Sequence, residues 1–328
     1  MNYGKKGVRA KQKALNSKSQ KWGRKLALTC VKIMLAAVVG IGICGVAAGI
    51  GVFRGILSST PTIRLSDVVA VGEATIVYDK EGNEIDQYVS TNSNRLSVGM
   101  DEIPDYLGKA FVAIEDERFY QHNGIDFKSI IRAGYQFFKT GGEEAQGAST
   151  ITQQLLKNTV FTDWTSEGNN KIKKIKRKIQ EQYLALEITK YYSKDEILLR
   201  YMNAINLGQN TLGVESASLR YFGKHCSELT ISECAVIASI TQNPSKYNPI
   251  RHPEENVKRR EKCLNKMLEL GFISQTQYDE AMADTDAVYE RIGLYDIDYQ
   301  EANATTGSYF SDAVYEQVKQ DLILSGYN

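Results

Sequence analysis

The longest apolar run in the chain, Ile33 to Phe53, holds 21 residues without a charge between Lys32 and Arg54. Wound as a helix it covers about 30 Å, the thickness of a bilayer core, and it predicts a single transmembrane helix. A cleaved signal peptide would have a shorter apolar core and a shorter basic lead. Farther on, Ala74 to Asp79 and Glu84 to Val89 flank a turn that contains Gly82, the pattern of a small β-hairpin. Beyond it the pattern turns helical. Leu107, Ala110, Phe111 and Ile114 recur at spacings of three and four, so a helix is expected to enter with Pro104 in its first turn and to end at Glu115-Asp116. Ile172, Ile175, Ile179, Tyr183 and Leu186 form a second stripe of helical period. Four capping boxes, Thr150 with Gln153, Ser193 with Glu196, Thr230 with Glu233 and Ser274 with Gln277, mark helix starts. The region from about Ile103 to Asp286 is therefore read as mainly α. Tyr289 to Gly307 has no pattern and reads as a linker, and Tyr309 to Leu324 begins another element.

Charge sharpens this division. The net charge of +1 hides ten Lys or Arg and no acid among residues 1–32, which leaves 30 basic residues against 39 acidic ones in the remainder. A basic tail beside a span stays in the cytoplasm, so the rest is expected outside, and the adjoining span argues against nucleic acid as the tail's partner. The five glycines of the span allow close helix packing. Cys30 and Cys44 lie in or beside the span, while Cys226, Cys234 and Cys263 are an odd number with no CxxC spacing and no histidine cluster. Neither a disulfide framework nor a cysteine metal site is expected, and Cys234 reads as core. His225 and His252 read as structural or surface residues.

Four stretches carry candidate chemistry. In Glu115-Asp116-Glu117-Arg118-Phe119-Tyr120-Gln121-His122-Asn123-Gly124, adjacent carboxylates end an apolar helix and the chain turns. A carboxylate at such a place is a candidate general base, and a helix end salt-bridged to Arg118 is the plainer alternative. In Gln146 to Asn158, a glycine turn and hydroxyls precede a helix that carries Gln154 and Lys157 on one face, a plausible anion cradle. Aromatics on either side, Phe137, Phe138, Phe161 and Trp164, suit a membrane interface. In Lys171 to Glu181, Lys174, Arg177, Lys178 and Glu181 share a face, a solvated basic helix or a site for phosphate or anionic lipid heads. The fourth stretch, Tyr201 to Gly223, carries small residues that let helices approach around a bend.

In this order, after one membrane span, these stretches resemble the peptidoglycan glycosyltransferases that polymerise lipid II and form the first catalytic domain of class A penicillin-binding proteins. The resemblance runs from about Ala74 to Met267. It rests on ED-x-x-F-x-x-H-x-G (Glu115 to Gly124), G-x-S-T-I-T-Q-Q (Gly147 to Gln154), R-K-x-x-E (Arg177 to Glu181), Y-x-N with two glycines and Y-F (Tyr201 to Phe222), and Pro244-Ser245-Lys246-Tyr247-Asn248-Pro249. It implies a lysozyme-like, two-lobed helical fold whose smaller jaw rests in the outer leaflet. The implied domains are a cytoplasmic tail (1–32), a span (33–53), a linker (54–73), a glycosyltransferase domain (74–288), and a linker leading into a transpeptidase region (289–328).

The resemblance makes Glu115 the base that deprotonates the acceptor's 4-hydroxyl. That oxygen attacks the donor's anomeric carbon with inversion and expels undecaprenyl pyrophosphate. Glu181 matches the second carboxylate, placed near the pyrophosphate and an assisting but not obligatory divalent cation, Mg or Mn. Asp116, Ser149, Gln153, Gln154, Lys157, Arg177, Lys178 and Asn203 fall at substrate-binding positions. The implied partners are lipid II, the undecaprenyl-linked glycan, the membrane and other cell-wall synthesis proteins.

By analogy with inverting glycosidases, Glu115 and Glu181 are expected at least roughly 6.5 to 9.5 Å apart across a cleft. A hydrolase cutting the same polymer is the main alternative, but it has no pyrophosphate for the basic helix to hold. A scaffold with a degenerate site is a third reading, against which intact Glu115 and Glu181 argue. Two departures stand out. The segment between Asn158 and Lys171 is longer than usual and lacks the family's arginine, for which Lys171, Lys173 or Lys174 could stand in. Gln242 replaces a lysine found in some members. Lys139-Thr140-Gly141 spells a transpeptidase triplet, but the chain has no Ser-x-x-Lys, so no acyl transfer is expected.

Overall fold

The computed structural model describes residues 4–15, 18–69, 72, 75–82, 84–88, 95–140, 147–168, 170–293 and 309–326. Ala74, Asn83 and Val89 of the expected hairpin, Gly141 and Gln146 of the motif stretches, and residues 294–307 of the expected linker lie outside them. The chain forms two compact units, Met1–Thr60 and Pro61–Asn328.

The first unit contains α1 (Lys5–Leu15) and α2 (Lys18–Ser58). The expected 21-residue span is the middle of a 41-residue helix. The Lys-, Arg- and Leu-rich flanks are good helix formers and no proline interrupts them, so the backbone continues past both ends of the apolar run. From Trp22 to Ser58 this helix is long and apolar enough to cross a membrane.

In the second unit a 3-10 turn, Leu65–Val68, precedes the antiparallel hairpin of β1 (Thr75–Tyr78) and β2 (Glu84–Tyr88), in which Thr75 pairs with Tyr88 and Val77 with Asp86. Helices then follow: α3 (Asp105–Glu115), α4 (Phe127–Lys139), α5 (Ile151–Thr159), α6 (Lys171–Ile188), α7 (Lys194–Ala204), α8 (Val214–Phe222), α9 (Ile231–Ile240), α10 (Pro253–Glu269), α11 (Gln275–Ala283), α12 (Thr285–Glu290) and α13 (Tyr309–Leu324). All four capping boxes close, at the starts of α5, α7, α9 and α11. Pro104 does not enter the first turn of α3. It is the extended residue just before it, with φ −65° and ψ 138°.

The core forms around α9, whose residues from Ser232 to Ile240 are all buried. A helix apolar on every side must be surrounded, and α9 packs against α3, α8, α10 and α11. A second layer sets α5 against α6 and α7. The result brings the C-terminal end of α3 and the N-terminal half of α5 to one place, with the C-terminal end of α9 and the middle of α10 beside them. Helix α4 keeps an apolar face exposed: Phe127, Ile131 and Tyr135, one turn apart, are each about two-thirds or more exposed. Cys226, Cys234 and Cys263 are buried free thiols.

Candidate active site

Glu115 is the last residue of α3, and its side chain is about one-tenth exposed. Its Oε2 accepts a hydrogen bond from Gln154 Nε2 at 2.9 Å. Its Oε1 accepts from Thr241 Oγ1 at 2.6 Å and from Arg259 Nη2 at 2.7 Å. Each donor is itself held. Tyr201 donates its hydroxyl to Gln154 Oε1, while Arg259 donates to Gln242 Oε1 and to the Ser239 carbonyl. The carboxylate is thus locked by α5, the end of α9 and α10 together, as a reacting group held by rigid elements requires. Arg118 forms its salt bridges with Glu117 at 3.2 Å and with Asp126 at 2.6 Å, not with Glu115.

Asp116 turns away from Glu115. Both its oxygens lie 3.0 Å from His122 Nε2, and Oδ2 also accepts the Ile151 amide at the start of α5. Because His122 Nδ1 accepts the Gly124 amide, the ring proton belongs on Nε2, and the imidazole donates to Asp116. Gly124 is needed twice over, by its φ of 90° and by a backbone so close that a Cβ would sit 2.3 Å from the Ala185 carbonyl oxygen. Asp116, expected at a binding position, lines the cleft but spends its hydrogen bonds on holding α3's exit against α5.

Glu115 faces a cavity of about 620 Å³ that also presents Ser149, Lys178, Lys262 and Lys266. A second cavity of about 1060 Å³ is lined by Trp164, Asn206, Arg220, Asn248, Arg251 and His252. Both cavities are bounded by Gln154, Lys157, Thr241 and Gln242, so they are two arms of one cleft that meet beside Glu115. The wall of the larger arm includes Gly208, Gln209 and Asn210, three successive residues with positive φ. Two of these are not glycine, a backbone state that costs energy and concentrates at ligand sites.

The basic side of the cleft comes from α6 and α5. Lys178 Nζ donates to Ser149 Oγ at 3.0 Å and to Glu181 Oε2 at 2.7 Å. Arg177 holds the other oxygen of Glu181 and donates to Glu167 at 2.9 Å. Glu181 is fully buried and lines neither arm. It stands behind the lysine that does. Lys157 lies at the seam, its Nζ 3.6 Å from the centre of the Trp164 ring. Burial, reinforced by the charges of Lys178 and Arg177, pulls its pKa below the usual lysine value.

The expected residues therefore divide. Glu115, Ser149, Gln154, Lys157 and Lys178 meet in one cleft, while Arg177 and Glu181 support it from behind. Gln153 and Asn203 were expected to bind substrate but line neither arm: Gln153 closes the α5 capping box, and Asn203 bonds both the amide and the carbonyl of Val98. As i and i+1 neighbours on a helix, Gln153 and Gln154 face different sides, which separates their roles. Lys171, Lys173 and Lys174 are exposed and also line neither arm, so none replaces the missing arginine at the cleft. Glu181 does not fit a metal site as it stands. Both its oxygens are taken by cations, and no group of three His, Cys, Asp or Glu suited to a metal exists among the described residues. Thr241 and Arg259, the most intimate partners of Glu115, lie 126 and 144 residues from it, and no local spacing pointed to them.

Penicillin-binding protein 1A of Clostridium perfringens is 39% identical over 296 residues, 87% of this chain and 42% of that protein. Penicillin-binding protein 1A/1B of Bacillus subtilis is 35% identical over 315 residues, 95% of this chain and 33% of that protein. Among solved structures, penicillin-binding protein 1A from Haemophilus influenzae aligns with 65% of this chain and 20% of its own, at 24% identity and a TM-score of 0.33. The chain spans about two-fifths or less of the length of these curated relatives. Residues 81–268, more than half of the chain, match the family model described as transglycosylase, and the chain belongs to that family.

Proposed function

We propose that this chain is a membrane-anchored glycosyltransferase that polymerises lipid II into glycan strands. The observation that carries the reading is Glu115 at the junction of two cavities, with the lysines of α5 and α6 beside it. Glu115 accepts the proton of the acceptor's 4-hydroxyl as that oxygen bonds to the donor's anomeric carbon. The C–O bond to the diphosphate breaks on the opposite face, which inverts the centre. Negative charge grows on the leaving diphosphate, where Lys157 and Lys178 stabilise it more in the transition state than in the ground state. Arg177 and Glu181 fix the position of Lys178. In this reading the cations of α6 supply the charge at Glu181, and a divalent ion is not obligatory.

The basic tail and the uncharged run of α2 support a single span with the tail in the cytoplasm and the catalytic residues outside. The exposed apolar face of α4 supports contact with a lipid surface, where an undecaprenyl-linked substrate resides. Partners among other cell-wall synthesis proteins belong to the same reading. Labelled lipid II tests it: polymer supports it, shortening of preformed glycan favours a hydrolase, and neither leaves a scaffold. Glu115→Gln polymerising at the unaltered rate would remove the base from its role.

A further inference from the structure

The segment that is long for the family, between Asn158 and Lys171, forms a 3-10 turn over Thr162–Glu167. It packs on α5 and α6, and the ion pair of Glu167 with Arg177 ties it to α6. This turn carries Trp164 into the wall of the larger arm and against Lys157. The three cations at this end of the cleft are partnered differently. Arg177 and Lys178 each hold a carboxylate. Among the described residues no carboxylate lies within ion-pair distance of Lys157, whose ammonium rests on the indole face instead.

The difference matters chemically. A carboxylate would position the ammonium and also neutralise it. An aromatic face positions it, removes water from one side and leaves its charge available. An ammonium has three N–H donors, so the side away from the ring still has donors to give. Without the ring, repulsion from Lys178 and Arg177 would act on a flexible four-carbon stem and turn it out of the seam.

We propose that Trp164 is a positioning residue for Lys157, holding its charge unneutralised at the seam of the two arms so that an incoming diphosphate meets it in place. This rests on the reading that Lys157 receives the leaving diphosphate. The sequence has two tryptophans, Trp22 and Trp164, so in the detergent-solubilised full chain with Trp22→Phe the indole emission reports Trp164 alone. Titration with inorganic pyrophosphate is expected to change that emission saturably, and Lys157→Met to abolish the change. By calorimetry Trp164→Leu is expected to weaken pyrophosphate binding by about three- to thirtyfold. Trp164→Phe should lose less, and KM for lipid II should rise in the same order at unaltered Tm. The proposal is overturned if the unaltered chain binds no pyrophosphate, if pyrophosphate binds while Trp164 emission stays still, or if Trp164→Leu keeps full affinity. Polymerisation of lipid II by the unaltered chain separates the two levels. If it persists while these tests fail, only the positioning role falls; if it is absent while they succeed, the positioning stands and the polymerase reading falls.

Discussion

Arg259 offers the strictest check on how Glu115, the proposed base, is held. Its guanidinium makes three bonds in three directions: to Glu115 Oε1 at 2.7 Å, to Gln242 Oε1 at 2.8 Å and to the Ser239 carbonyl at 3.1 Å. Lysine keeps the charge, but it is a point donor on a flexible stem and cannot reproduce a fork spread over three acceptors. In Arg259→Lys at least one of these bonds is lost, and Glu115 gains freedom to rotate between Gln154 and Thr241. A hydrogen bond to a charged group contributes about 1.5–3 kcal/mol. If that energy serves to align the base, kcat for lipid II polymerisation falls by about ten- to a hundredfold, because each 1.36 kcal/mol in the barrier is tenfold. KM changes little, because substrate is held mainly by other residues of the cleft. The assay is initial-rate polymerisation of labelled lipid II, with thermal unfolding of the same preparation as control. A variant with unaltered kcat and unaltered Tm would refute the claim that Arg259 aligns Glu115. A fall in Tm with kcat preserved would make the residue a structural strut.

Gly124→Ala should lower the unfolding free energy by about 3 kcal/mol or more, read as a marked fall in the urea midpoint, because the new Cβ meets backbone rather than a movable side chain. Lys194 sits over the Phe119 ring with its Nζ buried and without a hydrogen-bond partner among the described residues, and burial, only partly offset by Asp116, lowers its pKa from 10.5 to about 8. Between these two values the unfolded chain binds a proton that the folded chain has released, so stability rises with pH across that window. Lys194→Met should flatten the rise, measured as the difference between the two urea midpoints from pH 8 to pH 10. Chelation of divalent ions should leave most of the polymerisation rate, while Lys178→Met should remove most of it and also lower Tm, because it strips one of the two cations from the buried Glu181. The opposite pattern would return a metal to Glu181.

Much of the helical architecture was legible because its signals are local. A capping box needs only four residues, and all four expected boxes close at helix starts. The uncharged run from Ile33 to Phe53 named its helix but not its ends, since good helix formers on both sides extend it to Lys18 and Ser58. The site was legible in part. Motif neighbours such as Gln153 and Gln154 share a pattern, yet one side chain turns into a cap and the other reaches Glu115. Asn203 looked like a ligand contact because it stands in a motif, whereas its amide is consumed by the backbone of Val98.

The sequence by itself determined the helices, the apolar span, the charge asymmetry and the candidacy of Glu115, because hydrophobic period, capping and charge act over a few residues. Only the tertiary structure decided what surrounds that carboxylate. Packing of α9 against α3 and α10 brings Thr241 and Arg259 to it across more than a hundred residues. It also decided that Glu181 lies behind Lys178, and that Trp164 rather than a carboxylate attends Lys157. These pairings depend on which helix faces meet, and helix faces meet through the burial of apolar surface, which is non-directional along the chain and leaves no spacing to read.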